Sequence, residues 1–357
     1  MAIGIFESSS LSLPDAEAAL KASAADINAS GGVNGRKIDL IVCNDKYDPN
    51  TAADCARQAV SKRVSAVISS YEPFSPQVVP VLEQAKIPYY FSSLAQDIDG
   101  TSSVSFPRDG GVPAAYGALG VELAKAGCKK VGAVVLTMPS TQLGGKWLEK
   151  GLKSQGASMV QVSVGATQPE YSSPVAKLVA QGADCIVPAT APDAGAKVVI
   201  AAQQSGAHLR LGAITSEFGS EALTTLGAAA DGMIITGQEY RPTDTQVPAV
   251  QTVVDGMKRH QPKVPLTTKF GIAGWASVQA LKQLLATTGG SYDAASLLKA
   301  APTAKPDTGL YAPFSNDGAS VDPTLSRAKN WNYLVWTVQG GKAELADQNF
   351  RALQNLS

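Results

Sequence analysis

The stretch DINASGGVNGRKIDL, residues 26–40, joins an apolar helical pattern to an apolar extended segment through a turn rich in glycine and asparagine. Gly31 and Gly32 supply the positive φ that ends a helix, and Asn34-Gly35 is typical of a second tight reversal. The helix therefore stops, reverses and feeds a neighbouring strand. This is the connection of a βαβ unit, whose two strands are parallel.

Strand and helix patterns alternate outward from this turn along most of the chain. The first series predicts strands at 3–6, 37–42, 65–69 and 87–93. A second series follows FPRDGG and predicts strands at 130–136, 158–164, 184–190, 209–215 and 232–237. The two series are expected to be completed by helical segments at 247–260, 270–286 and 293–300 and by strands at 310–314 and 332–338. The sequence thus predicts an α/β protein of two doubly wound parallel-sheet lobes, and a length of 357 residues fits roughly two domains.

Composition and charge exclude several classes of function. Lys+Arg and Asp+Glu both number 30, so no net field favours nucleic acid or an acidic membrane as a partner. His208 and His260 are the only histidines, which argues against histidine catalysis and multi-histidine metal sites. Motifs for a nucleophile elbow, a Walker loop or a zinc protease are absent. We expect no catalytic residue, no metal and no other cofactor.

Membrane and export signals are also absent from the sequence. No apolar run approaches the ~20 residues that span a bilayer, and the chain opens on a strand-like MAIGIF instead of a signal peptide. We therefore expect no direct membrane insertion.

Several stretches resemble one protein family over nearly the whole chain. ADINASGGVNGRKIDL (25–40) followed by NDKYDP (44–49) is similar to the first βαβ unit of type I periplasmic solute-binding proteins of ABC importers. The branched-chain amino-acid-binding (Leu/Ile/Val-binding-like) class is closest. Residues 66–93 resemble the third strand, helix and fourth strand of that family, residues 129–157 its second-lobe opening and residues 227–242 its return crossover.

The resemblance implies a periplasmic binding protein-like I fold, with a three-crossover hinge and a solute enclosed between two lobes. The predicted crossovers lie near 107–110, 237–241 and 318–328. The predicted N-terminal lobe is 1–107 plus 240–320, and the predicted C-terminal lobe is 108–239 plus 321–357.

Four cysteines form two pairs with suitable spacing. Cys43 lies at the exit of the second strand and Cys55 in the second turn of the next helix, within disulfide reach. Cys128 and Cys185 begin strands that are neighbours in a doubly wound sheet. Loop closure would contribute about 3 kcal/mol for the first pair and about 4 kcal/mol for the second. Four buried thiols are the alternative; disulfides would indicate an oxidising compartment outside the cytoplasm.

Loops after the strands supply candidate solute-binding residues in the first lobe. Ser8 and Ser9 follow the first strand, where an ordinary capping loop is the alternative. In SSYEPFSP (69–76), the start of a helix offers N–H groups to a carboxylate ligand.

Within that loop, Tyr71 and Phe74 are predicted to form an aromatic wall, and Ser75 to cap the helix. Glu72 is interpreted as a solvated loop acid.

The resemblance adds further candidates. Ser92 and Ser93 stand where relatives bind the α-carboxylate or ammonium of the solute, with Ser93 preferred, and Phe270 matches an aromatic residue that lines the pocket. Leu143 and Ala191 replace tyrosines of the family and leave a more apolar surface.

Glu217 aligns with the acid that binds the amino group of the solute. The alternative is a surface acid that caps a helix at 219–226.

The expected function is an extracytoplasmic solute-binding protein of an ABC importer, located in the periplasm or at the cell surface. It would bind a small amino acid or related carboxylate without chemical turnover and deliver it to an ABC permease. Lipid anchoring of a precursor stays open. So do an aromatic or larger apolar carboxylate as solute, a cytosolic ligand sensor of the same fold, and a two-lobed α/β enzyme.

Overall fold

A computed structural model divides the chain into two compact units. The first unit is Met1–Gly111 with Glu239–Trp331, and the second is Val112–Gln238 with Asn332–Ser357. The structure describes residues 1–8, 11–137, 139–165, 167–190, 192–354 and 356.

The chain leaves one unit for the other after Gly111, Gln238 and Trp331, whereas the sequence placed these passages after residues 107, 239 and 320. The largest difference has a local cause. The Asn330 side chain donates to the Arg108 carbonyl (3.0 Å), which keeps this part of the chain in the first unit.

Eleven helices are seen in the described residues. They are α1 (Pro14–Ala29), α2 (Pro49–Ser61), α3 (Ser75–Gln84), α4 (Gly111–Lys125), α5 (Pro139–Ser154), α6 (Ser172–Ala180), α7 (Pro192–Gln204), α8 (Ser220–Leu226), α9 (Pro248–His260), α10 (Lys269–Ala286) and α11 (Ala294–Ala300).

The strands are short in the first unit and longer in the second. They are β1 (Ala2–Gly4), β2 (Val42–Asn44), β3 (Tyr89–Tyr90), β4 (Ser105–Phe106), β5 (Lys130–Leu136), β6 (Ser158–Val164), β7 (Cys185–Ala189), β8 (Arg210–Ile214), β9 (Ile234–Gly237), β10 (Asn332–Gln339), β11 (Lys342–Leu345) and β12 (Arg351–Ala352).

Parallel pairing builds the sheet of the first unit. β2 pairs with β1 and β3 pairs with β4, while single bridges from Ile68 to Ala2 and from Val67 to Tyr89 connect the two pairs. The predicted strand at 65–69 is thus reduced to two bridging residues.

The segment 37–41 was predicted as strand but is outside β2. The Asn28 amide donates to the Ile38 carbonyl (2.9 Å) and accepts from the Ile38 N–H (2.7 Å), so a side chain takes the place of a ladder partner.

Helices cover this sheet on two sides. Apolar residues of α2 and α3 join Ile3, Val67 and Tyr89 in one buried cluster. α10 packs on α1, where a Cβ at Gly274 would lie 2.7 Å from the Ala16 carbonyl oxygen, so only glycine permits the approach.

The second unit has one sheet in the order β11-β10-β9-β8-β7-β5-β6. β5 to β9 are parallel, and β10 runs antiparallel to β9, β11 and β12. The predicted strand at 310–314 is instead a single bridge, between Tyr311 and Glu239 of the first unit. The predicted fold class, α/β with mostly parallel sheets, is confirmed.

Both predicted cysteine pairs are disulfides. Cys43–Cys55 joins β2 to α2 in the first unit, and Cys128–Cys185 joins the segment before β5 to the first residue of β7 in the second. The alternative of four buried thiols is therefore wrong for this structure.

Candidate functional site

Two predicted aromatic residues of the first unit contact each other. The Tyr71 and Phe270 rings have centroids 5.0 Å apart at an interplanar angle of 42°. Phe270 is buried, and Tyr71 is partly exposed. The pair brings together residues that are far apart in the sequence.

The start of α10 holds Phe270 in this position. The Thr268 hydroxyl accepts from the Phe270 N–H (3.2 Å), and the buried carboxylate of Asp15 accepts from the N–H groups of Thr267 (3.0 Å) and Thr268 (2.7 Å). Burial raises the pKa of Asp15, and these hydrogen bonds oppose the shift. The sequence showed Asp15 only as a favourable acid in the first turn of α1.

Phe74 and Ser75 have roles different from those predicted. The Phe74 ring packs on Tyr47, with centroids 5.5 Å apart. Phe74, and not Ser75, is the N-cap residue of α3, and the Ser75 hydroxyl donates to the Glu72 carbonyl (3.1 Å). The Ser75 hydroxyl is therefore bonded to the loop before α3 and does not cap the helix.

The interpretation of Glu72 as a solvated loop acid is wrong. The residue is 2% exposed, and its carboxylate accepts from the Phe74 N–H (2.7 Å), at the start of the helix that was predicted to offer N–H groups to a ligand. Burial, reinforced by the neighbouring charge of Asp45, raises the pKa of Glu72 well above its usual range. Burial also raises the pKa of Asp45, and a side-chain hydrogen bond to Glu72 opposes that shift.

Asp99 occupies a second set of backbone donors in the first unit. One of its oxygens accepts from the N–H groups of Ala95 (3.0 Å) and Gln96 (2.9 Å), just after Ser92 and Ser93. The side chain is fully buried, which raises the pKa of Asp99 to about 7. The protein thus places its own carboxyl groups on N–H donors in the loop before α3 and in the segment after Ser93.

Serine hydroxyls remain as candidate ligand groups at the same strand ends. Ser92 and Ser70 are fully buried, and their hydroxyls have no hydrogen-bond partner within the part of the chain that the structure describes. Ser93 is partly exposed and donates to the Asp109 carboxylate (3.1 Å). A buried hydroxyl is expected to find a partner, so these positions favour contact with a polar group of a solute.

Ser8 belongs to a local turn. Its hydroxyl donates to the Leu11 carbonyl (2.8 Å) and accepts from the Leu11 N–H (2.9 Å). This fits an ordinary loop before α1. Ser9 lies outside the described residues.

In the second unit, Leu143 lies in the first half of α5 and is partly buried. The next residue packs against the ring of Tyr116, because a Cβ at Gly144 would lie 2.5 Å from that ring. Ala191 lies outside the described residues.

Glu217 is a buried acid in the second unit. It is 3% exposed, and its two oxygens accept from the Tyr116 hydroxyl (2.5 Å) and the Ile214 N–H (3.0 Å). The alternative of a surface acid capping α8 is wrong, because Gly219 is the N-cap residue and has no side-chain bond. Burial raises the pKa of Glu217 to about 8, so the carboxyl group is mostly protonated at neutral pH.

We expect Glu217 to make the protein less stable as the pH rises. Between its usual pKa of 4.5 and about 8, the folded chain keeps a proton that the unfolded chain has lost. Stability then falls by up to about 1.4 kcal/mol per pH unit across this window. Glu217→Gln removes the titrating carboxyl group. The melting temperature of this variant should therefore depend less on pH than that of the wild type between about pH 5 and pH 8.

Glu221→Gln, at an exposed position of α8, is the matched control and should follow the wild-type slope. Equal slopes for wild type and Glu217→Gln would contradict the prediction.

Cys128, Asp184 and Cys185 bring three potential metal-ligand atoms within 4.8 Å of one another. Because both sulfurs belong to the disulfide, only Asp184 keeps a ligand atom. No described helix is both long and apolar enough to cross a bilayer.

Comparison with protein-family models gives one match of nearly full length. A model described as periplasmic binding protein matches residues 7–325. No curated protein sequence matches the chain.

Solved structures share the fold at low identity. An extracellular ligand-binding receptor from Verminephrobacter eiseniae has a TM-score of 0.83 and 16% identity, covering 96% of this chain and 98% of its own. A leucine-binding protein from Thermotoga maritima has a TM-score of 0.79 and 15% identity, covering 97% of each chain. An ABC-transporter solute-binding protein from R. palustris in complex with benzoate has a TM-score of 0.78 and 17% identity, covering 99% and 97%.

Proposed function

The chain belongs to the periplasmic binding protein family, and from this premise we propose that it is the extracytoplasmic solute-binding component of an ABC importer. Its partners are then a small-molecule solute and an ABC permease. The two disulfides support a site of action outside the cytoplasm, because thiols stay reduced in the cytosol. They also argue against a cytosolic ligand sensor. Closure of the lobes around the solute stays a prediction.

The proposed solute is a small amino acid or related carboxylate. The observation that carries this proposal is the Tyr71–Phe270 contact, together with the buried hydroxyls of Ser70 and Ser92 in the same unit. An aromatic wall with a few polar groups is the usual composition of a small-molecule site. A micromolar dissociation constant requires about 8 kcal/mol of binding free energy, which such a site supplies.

A second candidate solute is an aromatic or larger apolar carboxylate without an amino group. Glu217 favours this candidate, because both of its oxygens are hydrogen-bonded within its own unit and burial raises its pKa to about 8. An ammonium ligand would have to displace that proton. The aromatic contact of Tyr71 and Phe270 suits a ring.

A thermal-shift screen separates the two candidates. The panel contains L-leucine, L-phenylalanine, benzoate and 3-phenylpropanoate, with benzamide as an uncharged control. A solute at a concentration of about 100 Kd stabilises the folded protein by about 2.7 kcal/mol and raises its melting temperature.

Shifts with the amino acids that are lost in Glu217→Gln support amine recognition by that residue. Shifts confined to the two aromatic acids favour the second candidate. A panel without any shift would contradict both.

A further inference from the structure

Phe91 has a left-handed backbone conformation, with φ of +54°. A bulky aromatic residue rarely adopts this region, and such strain persists only where surrounding contacts enforce it, often at functional sites. Phe91 follows β3 and directly precedes Ser92 and Ser93. The strained residue therefore determines the course of the chain that carries both serines.

Two buried side chains hold the Phe91 carbonyl. Arg108 Nη1 donates to it at 3.0 Å, and the Ser277 hydroxyl oxygen lies 3.2 Å from it. Arg108 Nη1 also donates to the Ser69 carbonyl at 2.9 Å, and Nη2 donates to the Ser70 carbonyl at 2.8 Å. The Ser277 hydroxyl lies 3.1 Å from the Ser69 carbonyl oxygen and 2.8 Å from the Ala273 carbonyl oxygen, so its single proton is shared among three acceptors. One planar guanidinium thus joins the segment after the bridging residues Val67 and Ile68 to the segment after β3, a geometry that its fixed fork of donors permits.

The backbone of Arg108 adds to this arrangement, since its N–H donates to the Ser92 carbonyl at 2.8 Å. Both Arg108 and Asp109 are fully buried, with 3.3 Å between Arg108 Nε and Asp109 Oδ2. The other oxygen of Asp109 accepts from the Ser93 hydroxyl (3.1 Å) and the Gly111 N–H (3.0 Å). The charge of the guanidinium is therefore balanced by the acid that binds Ser93.

We infer that Arg108 is a positioning residue for solute binding: it fixes the left-handed turn at Phe91 and thereby the placement of Ser92, Ser93 and Tyr71. This inference deepens the proposed function and rests on it for the role of those three residues. Arg108 itself does not need to touch the solute.

Hydrogen–deuterium exchange of the solute-free protein tests the inference. Arg108→Lys keeps the positive charge beside Asp109, but a single ammonium cannot reproduce the fork that reaches three carbonyls. We expect amide exchange in residues 69–74 and 91–96 to accelerate about tenfold, because several hydrogen bonds are weakened there.

Arg327→Lys is the matched control. Arg327 also lies in the first unit and donates to carbonyls, those of Ser105 (2.8 Å) and Ser103 (3.2 Å), which belong to neither of the two segments. It should leave exchange in 69–74 and 91–96 at the wild-type rate.

Ser277→Ala is a second, milder variant that keeps Arg108 and removes a hydroxyl whose single proton lies within reach of the Ser69 and Phe91 carbonyls as well as that of Ala273. Exchange in the same two segments should rise about threefold. This variant keeps the inference testable if Arg108→Lys folds poorly.

Unchanged exchange in the two segments, or an equal rise throughout the first unit, would overturn the positioning role. Exchange is measured without solute, so this failure is distinct from failure of the proposed function, which the thermal-shift panel reports. If exchange changes as expected but no solute raises the melting temperature, Arg108 keeps its role in fixing the turn at Phe91 and loses its proposed link to solute binding.

Discussion

Replacement of Cys128 and Cys185 by alanine is expected to lower the free energy of unfolding of the second unit by about 4 kcal/mol. The disulfide closes a loop with a sequence separation of 57 and links the segment before β5 to the first residue of β7, the parallel strand beside it. Without this crosslink, the unfolded chain gains conformational freedom that the folded chain does not share. Urea titration of both proteins, followed by circular dichroism, measures the difference.

The other disulfide provides the control for this prediction. Cys43–Cys55 lies in the first unit and closes a loop with a sequence separation of 12, so its removal is expected to cost about 3 kcal/mol. A larger loss from the short loop than from the long one would contradict the chain-entropy explanation.

Arg108→Met is expected to destabilise the first unit by about 3–5 kcal/mol. The substitution leaves the Asp109 carboxylate fully buried without its counterion and removes the donors to three strand-end carbonyls. Methionine fills part of the volume, so the loss reports charge and hydrogen bonding more than packing. The shift in the urea midpoint relative to wild type measures it.

Arg57→Met is the matched control for this substitution. The ion pair of Arg57 with Asp54 lies on α2 with both side chains more than half exposed, and exposed pairs contribute about 0–1 kcal/mol. Similar losses of unfolding free energy for the two variants would show that burial does not determine how much the Arg108–Asp109 pair contributes to stability.

The sequence predicted the elements that carry a strong local pattern. β5 and β6 have the predicted bounds, because β5 is a buried apolar run and β6 alternates valine with polar residues. The first-unit strands were predicted too long. In that unit, the length of each strand depends on which groups hydrogen-bond to its backbone. The Asn28 side chain is bonded to both backbone groups of Ile38, and β2 begins only after this residue.

The disulfides were predictable because each joins two neighbouring elements whose positions the sequence pattern predicts. The site was predicted less well, because distant side chains decide it. Glu72 was interpreted as solvated, since nothing in SSYEPFSP reveals that Asp45 meets it from another loop. Arg108 lay in the FPRDGG segment, which the sequence identified as a connection, but its bonds to Ser70 and Phe91 require the folded sheet.

The contact between Asn28 and Ile38 affects how the protein behaves at high concentration. An unpaired sheet edge is a template for another chain, and β2 lies at one end of the first-unit sheet. Because the Asn28 amide already satisfies both backbone groups of Ile38, the chain entering β2 offers fewer sites for intermolecular strand addition. With a formal net charge of zero, the protein gains little colloidal repulsion, so resistance to aggregation at this edge depends on such local hydrogen bonds.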